Sequence, residues 1–252
     1  RLPRLIKFYQ RDSMNYAKHI FDIQAEYTTT QEEEGSGSGA IVATLRTIDN
    51  APIYYTLDGT EPTTASEQYN GTGIVIRQSA DLRAVAIRPE GKSKVTEKNF
   101  YINKATFCPI ELTGTQPTPK YAFKGATALV DGMSGIDNYE TGEWIGFLDG
   151  DVTAVIDLGA SNGNAAGKTV AELPEIKHVS THAVIDMGAW VAGCTGLAVS
   201  VSDDNKSFRE VAAKEFPVEM DSRKKAVANY EVTFEPVKAR YVKVLIKRTP
   251  AL

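Results

Sequence analysis

The sequence predicts an all-β protein: a small immunoglobulin-like sandwich, then a jelly-roll sandwich, with a short helical segment at the N-terminus. Three observations predict it. From Ala40 onward, β-branched residues alternate with polar ones and are punctuated by Gly, Asn, Asp and Pro, the pattern of short strands joined by turns. Pro109, Pro117 and Pro119 interrupt that pattern with few alternating residues between them, which marks a domain boundary. The 252 residues suit one large domain or two ordinary ones, and 42% hydrophobic residues can fill real cores.

Each element is justified by its own residues. Leu2, Leu5, Ile6 and Tyr9 sit at helical spacing, and residues 16–21 read as another turn or two. The first residues, Arg-Leu-Pro-Arg, contain neither an initiator Met nor a signal peptide, so the chain reads as a piece of a longer one whose targeting signal lies upstream. Residues 32–39 are acidic, then Gly/Ser-rich, and read as a solvated hairpin loop. Ile53, Tyr55 and Leu57 share one strand face by period two. Residues 74–76, 82–88 and 98–102 complete the first unit. Beyond the prolines, strands are expected at 152–158, 176–186, 197–201, 230–234 and 241–246, with long loops and no helix. The expected organisation is therefore 1–25 as a helical remnant, 26–104 as the first sandwich and 105–252 as the second.

Composition excludes some partners. The net charge of -4 provides no basic field for phosphate backbones, so nucleic acid is not an expected partner. There are no 18 consecutive apolar residues to span a membrane. The chain is also expected to lack the basic patch and exposed apolar spikes that anionic membranes call for. Cys108 and Cys194 are the only cysteines; free thiols are expected, and they do not reveal the compartment.

The residues that could carry chemistry are few. In residues 54–63, YYTLDGTEPT, Asp58 and Glu61 stand three apart, and a glycosidase needs two carboxyl groups across the scissile bond. Asp58-Gly59, however, is a strong turn signal, so Asp58 is expected to bond its own turn at the corner of a hairpin. His178 and His182 lie on strand-like sequence, where four residues separate the rings by about 13 Å, too far to share a zinc. No Gly-x-Ser-x-Gly elbow, phosphate-binding loop or dinucleotide fingerprint occurs, so this chain by itself is not expected to be an enzyme. The stretch 129–144 holds Asp131, Asp137, Glu140 and Glu143, a mixture of hard oxygens that suits calcium; the alternative is a solvated acidic loop. A flat ring stacks on the apolar face of a pyranose while polar neighbours bond its hydroxyls. Tyr139 and Trp190 are the candidates for that role, with the core as the equal alternative for each, and Trp144 and Phe147 are expected in the core.

Residues 54–63, with Ser66, Tyr69 and residues 82–86 (LRAVA), resemble the small C-terminal β domain of chitobiases and β-hexosaminidases. Residues 129–132 (LVDG), Asn138, Tyr139, Thr141, Gly142, residues 144–147 (WIGF) and residues 154–159 (AVIDLG) resemble a coagulation factor 5/8 type C, or discoidin-like, domain. Residues 199–204 (VSVSDD), Phe208 and residues 239–244 (ARYVKV) extend that match. The head, with residues 2–5 (LPRL), 15–18 (NYAK) and 21–23 (FDI), is similar to the segment after the catalytic barrel in family 20 glycoside hydrolases of Bacteroides-like bacteria.

The resemblance implies a galactose-binding-like jelly roll and a parent exo-β-N-acetylhexosaminidase acting outside the cytoplasm. That family works with an adjacent Asp-Glu pair, which occurs nowhere in this sequence, so the catalytic barrel is expected upstream. The chain is then a non-catalytic accessory region: a spacer sandwich that packs on its own upstream catalytic domain, and a module similar to family 32 that holds the enzyme near glycans by weak binding. Discoidin-like domains often hold a structural calcium; Asp131 matches its first ligand and the Leu129 carbonyl a second. The chain ends at Leu252, before the family's last strand, so that strand and its acidic ligand are expected to be missing. The alternatives are a structural brace with no ligand, and the accessory region of another glycosidase such as an α-fucosidase.

Overall fold

The computed structural model describes residues 21–31, 39–159 and 173–250. The expected helical head over residues 1–20, the acidic and Gly/Ser-rich stretch 32–38 and the last two residues lie outside the described residues. The protein is all-β: fifteen strands are described, joined by loops and short 3-10 turns. The chain divides into two compact units, with the change after Tyr101.

The first unit holds β1 (Gln24–Gln31), β2 (Gly39–Arg46), β3 (Ile53–Thr56), β4 (Glu67–Gln68), β5 (Ile74–Ile76), β6 (Ala80–Arg88), β7 (Gly91–Lys92) and β8 (Thr96–Phe100). One sheet runs β1-β2-β5; the other runs β4-β3-β6-β7, with β8 also on β6. Alternation explains the pairing of faces. Ile41, Ala43 and Leu45 from β2 are buried, as are Ile53 and Tyr55 from β3, Leu82 and Ala84 from β6, and Phe100 from β8. Burying such an aliphatic or aromatic side chain stabilises by about 1.5–3 kcal/mol. The unit starts before the expected residue 26: Ile23 is buried, the Arg88 guanidinium donates to the Phe21 carbonyl (3.0 Å) and Asp22 accepts from the Lys94 N–H (3.0 Å).

One expectation for residues 54–63 is corrected. Leu57 does not share the buried face of Ile53 and Tyr55; it is exposed, because the chain has already left β3 and the Leu57 carbonyl accepts from Asp81 N–H (3.0 Å). Asp58-Gly59 does stand in the connection of a hairpin. β3 pairs with β4 through Tyr54 opposite Gln68 and Tyr55 opposite Glu67, so the connection is the long loop 57–66. Asp58 does bond its own turn: its Oδ1 accepts from the Thr60 N–H (3.0 Å) and hydroxyl (2.6 Å), while Gly59 takes φ +76°. Those Thr60 donors hold the Asp58 carboxyl below the usual carboxylate range. It is a turn anchor, not an acid catalyst.

The second unit holds β9 (Ile110–Gly114), β10 (Val152–Asp157), β11 (Glu175–Asp186), β12 (Cys194–Ser202), β13 (Arg209–Glu215), β14 (Lys225–Lys238) and β15 (Tyr241–Arg248). Its large sheet runs β13-β12-β15-β10-β9, and β11 pairs with β14 in a two-stranded ribbon. All these pairs are antiparallel. Leu197, Val199 and Val201 on β12 and Val242 and Val244 on β15 meet Ile176 and Val232 of the ribbon in one buried cluster.

The registers sort the connections onto two ends. Val152 lies opposite Ile246 and Gly114, and Cys194 opposite Arg248. Loop 115–151, the β11–β12 connection 187–193 and the β13–β14 connection 216–224 therefore start and finish at one end, the loop end, while the middle of loop 115–151 runs along β9 to the Phe107 N–H, which donates to the Val130 carbonyl (2.8 Å). The opposite, turn end carries loop 203–208 and the β14–β15 turn. Cys108 precedes β9 at the turn end and Cys194 opens β12 at the loop end; both are buried and not joined in a disulfide, and the Cys108 thiol donates to the Lys104 carbonyl (3.2 Å). Burial pushes the Cys194 thiol up to about 11, which leaves it unreactive.

Candidate functional site

The loop end is built around one tight connection. β11 runs out at Asp186, and Asp186 and Val191 exchange both backbone hydrogen bonds (2.9 and 3.0 Å). Between them Met187–Ala189 forms a 3-10 turn, and the Trp190 N–H closes it on the Met187 carbonyl (3.2 Å). Met187 is buried and its N–H donates to the Lys224 carbonyl (3.0 Å), which anchors the turn to connection 216–224. Trp190 comes next with φ +61°, a conformation that costs a bulky L-residue about 1–2 kcal/mol. Its indole is 80% exposed, so no burial of its own offsets that strain.

Neighbouring loops brace this tip. The Thr249 hydroxyl donates to the Gly193 carbonyl (2.7 Å). A Cβ at Gly193 would collide with the Tyr230 hydroxyl, so only glycine lets β14 approach here. Tyr230 packs edge-on against Phe216 at 5.0 Å. Burial, then Cys194 and Glu219, push its phenol up, so it stays a protonated hydrogen-bond donor. Asp151 accepts from the Arg248 N–H (2.9 Å), which ties loop 115–151 to the same strand end. Asp186 pairs with Lys225 (3.7 Å) and Arg248 with Asp149 (3.7 Å).

Loop 115–151 is a scaffold of its own. Tyr139 opens the turn Tyr139–Thr141, whose cap is Asn138 accepting from Glu140 N–H (3.0 Å). Its ring meets Tyr121 edge-on at 6.1 Å and is partly buried. Trp144 donates from Nε1 to the Ile136 carbonyl (2.8 Å) and lies on Gly135, where any Cβ would collide with the indole. Trp144 and Phe147, expected in the core, are only partly buried; Trp144 organises the loop and not the sandwich interior. Tyr139 and Trp190 thus have different roles, one wedged within its loop and one displayed.

The metal residues are differently placed. Asp131 Oδ2 pairs with the Lys124 ammonium (3.1 Å), and Oδ1 accepts from Met133 N–H (2.9 Å). Leu129 ends the turn Gly125–Leu129 beside them. Calcium takes about six to eight oxygen ligands, and an ammonium beside the carboxylate opposes a dication. Among the described residues no group of three or more His, Cys, Asp or Glu side chains could hold a metal. The Lys124 ammonium already satisfies Asp131 as an ion pair, which a bound calcium would have to displace. His178 lies on the ribbon beside Glu231 (3.3 Å), and burial lowers His182.

Sequence reasoning missed the apolar character of this end. Among the described residues, every exposed large apolar side chain of the second unit lies on its connections or next to them. Phe123, Ile136 and Leu148 are on loop 115–151, Trp190 on the hairpin, Val218 and Met220 on 216–224, and Val227 at the start of β14. Leu148 is 74% and Met220 70% exposed. The expectation of no exposed apolar spikes is therefore corrected. The usable signal was apolar residues inside turn-like runs, FLDGD for Leu148 and VEMDS for Met220, where no strand could bury them. An exposed apolar cluster with a polar rim marks an interaction surface.

A family profile described as Fn3 associated matches residues 43–100, within the first unit. No curated protein matches the chain. Among solved structures, the chain is similar to chitosan-binding module 2 from the chitosanase/glucanase of Paenibacillus sp. IK-5, in complex with chitotriose. That match has 16% identity and TM-score 0.35 over 59% of this chain and 90% of that one. It is similar also to CpGH89CBM32-5 from Clostridium perfringens, in complex with GalNAc-β-1,3-galactose, with 14% identity and TM-score 0.33 over 56% and 86%. A third is the C-terminal domain of a chitobiase from Bacteroides fragilis, with 16% identity and TM-score 0.30 over 56% and 83%.

Proposed function

We propose that this chain is a glycan-binding accessory region of a glycoside hydrolase, with its site at the loop end of the second unit. The observation that carries this reading is Trp190: a strained, braced and exposed indole at a hairpin tip, on the same end of the unit as the Asp186–Lys225 and Asp149–Arg248 ion pairs. An indole face receives the C–H surface of a pyranose, and charged neighbours bond its hydroxyls. The motifs shared with chitobiase C-terminal and discoidin-like domains support the same reading and extend it. The parent is then an exo-β-N-acetylhexosaminidase acting outside the cytoplasm, its catalytic barrel lies upstream, and the first unit is a spacer.

Calorimetric titration of the chain with N-acetylglucosamine, galactose and N-acetyllactosamine tests it. Saturable heat that Trp190→Ala removes, with melting temperature unchanged, is the expected result. No heat with any sugar would leave a structural brace. No heat with sugars but Trp190-dependent binding to phosphatidylserine vesicles would replace the glycan with a lipid surface.

A further inference from the structure

We propose that the space above Gly188, between the Asp186 carboxylate and the Ser222 carbonyl, receives hydroxyl groups of the sugar that stacks on Trp190, and that the Asp186–Lys225 pair makes a neutral sugar the preferred one. This rests on the glycan reading of the loop end.

Two oxygens converge on that space. A Cβ on Gly188 would lie 3.6 Å from Asp186 Oδ1 and 3.7 Å from the Ser222 carbonyl oxygen. Apart from Gly188 and its chain neighbours, no other atom of the described residues comes within 4 Å of that point. Both oxygens are acceptors. Gly188 is not held at a positive φ, so its backbone does not call for glycine. What the missing side chain provides is room.

The carboxylate has acceptor capacity to spare. Among the described residues Asp186 accepts no side-chain hydrogen bond, and its ionic partner, the Lys225 ammonium, stands 3.7 Å away. Its side chain is only 22% exposed. Asp58, Asp131, Asp157 and Asp204 each hold a donor of the chain. A screened carboxylate without one takes its donors from outside the chain.

Hairpin geometry sets this space beside Trp190. Asp186 lies between two partners, Val191 on the returning segment and Lys225 on β14. Because Asp186 and Val191 exchange both backbone hydrogen bonds, their Cα atoms are about 5.5 Å apart. Trp190 is one step of about 3.8 Å from Val191. An indole and a pyranose stacked on it bridge that gap. The Met187 N–H on the Lys224 carbonyl (3.0 Å) keeps the 221–224 turn, and with it Ser222, against the hairpin.

The pair decides the class of sugar. Carboxylate and ammonium together carry no net charge. A sugar ammonium is opposed by Lys225 and a sugar carboxylate by Asp186. Neutral hydroxyls suit both, donating to Asp186 and Ser222 and accepting from Lys225.

The test titrates N-acetylglucosamine, galactose, glucosamine and glucuronic acid into the wild-type chain, Gly188→Ala, Asp186→Asn, Lys225→Met and Trp190→Ala, with a melting temperature for each. The wild type is expected to bind a neutral sugar about tenfold more tightly than either charged one. Gly188→Ala places a methyl group at ordinary contact distance from both oxygens. Its melting temperature should stay unchanged while neutral-sugar affinity falls about tenfold, the loss of one charge-assisted bond. Asp186→Asn should shift preference toward glucuronic acid, and Lys225→Met toward glucosamine, an exchange that a merely structural role would not produce. Unchanged affinity in folded Gly188→Ala, with Trp190-dependent binding intact, overturns the hydroxyl site. A wild type that prefers a charged sugar, or charge variants with unaltered preference, overturns the neutral class. Loss of all binding in the wild type overturns both and the glycan reading with them.

Discussion

The two ends of the second unit are made by the same strands and differ in nearly everything else. At the turn end, Asp204 Oδ1 accepts from the Ser202 hydroxyl and from the N–H groups of Lys206 and Ser207, each at 2.8 Å. Those donors hold its carboxyl well below the usual carboxylate range. Arg240 grips Asp157 with two bonds (3.0 and 2.8 Å) and lies over the Tyr241 ring at 4.8 Å. Among the described residues of loop 203–208 and the β14–β15 turn, no large apolar side chain is exposed. The loop end instead leaves Leu148, Trp190 and Met220 in solvent and keeps Trp190 in a strained backbone. A connection that only joins strands satisfies its polar groups within itself. A connection that carries exposed apolar area and strain has a partner outside the unit.

Four substitutions or titrations sharpen or break that contrast. Gly193→Ala should act most strongly, because its methyl group strikes the Tyr230 hydroxyl. We expect a loss of about 3 kcal/mol on thermal unfolding, the upper part of the overpacking range, and partial recovery in the double variant with Tyr230→Phe. An equally unstable double variant would mean that the glycine is required for another reason. Arg240→Ala at the turn end removes two charge-assisted bonds and should lower stability by about 2 kcal/mol without changing glycan affinity. A change in affinity would show that the ends are coupled.

Trp190→Gly should do the reverse: stability rises by about 1 kcal/mol as the left-handed residue loses its strain, and glycan affinity disappears. A fall in stability would mean that the indole packs on the unit in solution. Smallest of all is calcium. With Lys124 holding Asp131, millimolar calcium against chelator should leave the melting temperature unchanged, and a rise of several degrees would break the ion-pair reading of that carboxylate.

Much of the fold was legible because strand residues are apolar and β-branched in short runs. Residues 82–88 and 197–201 became β6 and β12, although Ala84–Ala86 and Leu197–Val199 are buried in succession and not alternately. The Asp58-Gly59 turn was legible as local chemistry, since Asp58 bonds the residue two ahead. The hairpin length was not, because it depends on where β4 finds β3. Of the candidate site, Trp190 was named from its place between strands, but nothing near it in the chain told display from burial.

By itself the sequence determined the all-β class, most strand positions and the lack of a family 20 Asp-Glu pair. These depend on residue type and short-range order, which chain neighbours decide. Only the tertiary structure decided that Asp131 faces Lys124, that three distant connections meet at one end, and that their apolar residues stay in solvent. Those outcomes depend on strand register and on the space left between loops, and both are set by residues far apart in the chain.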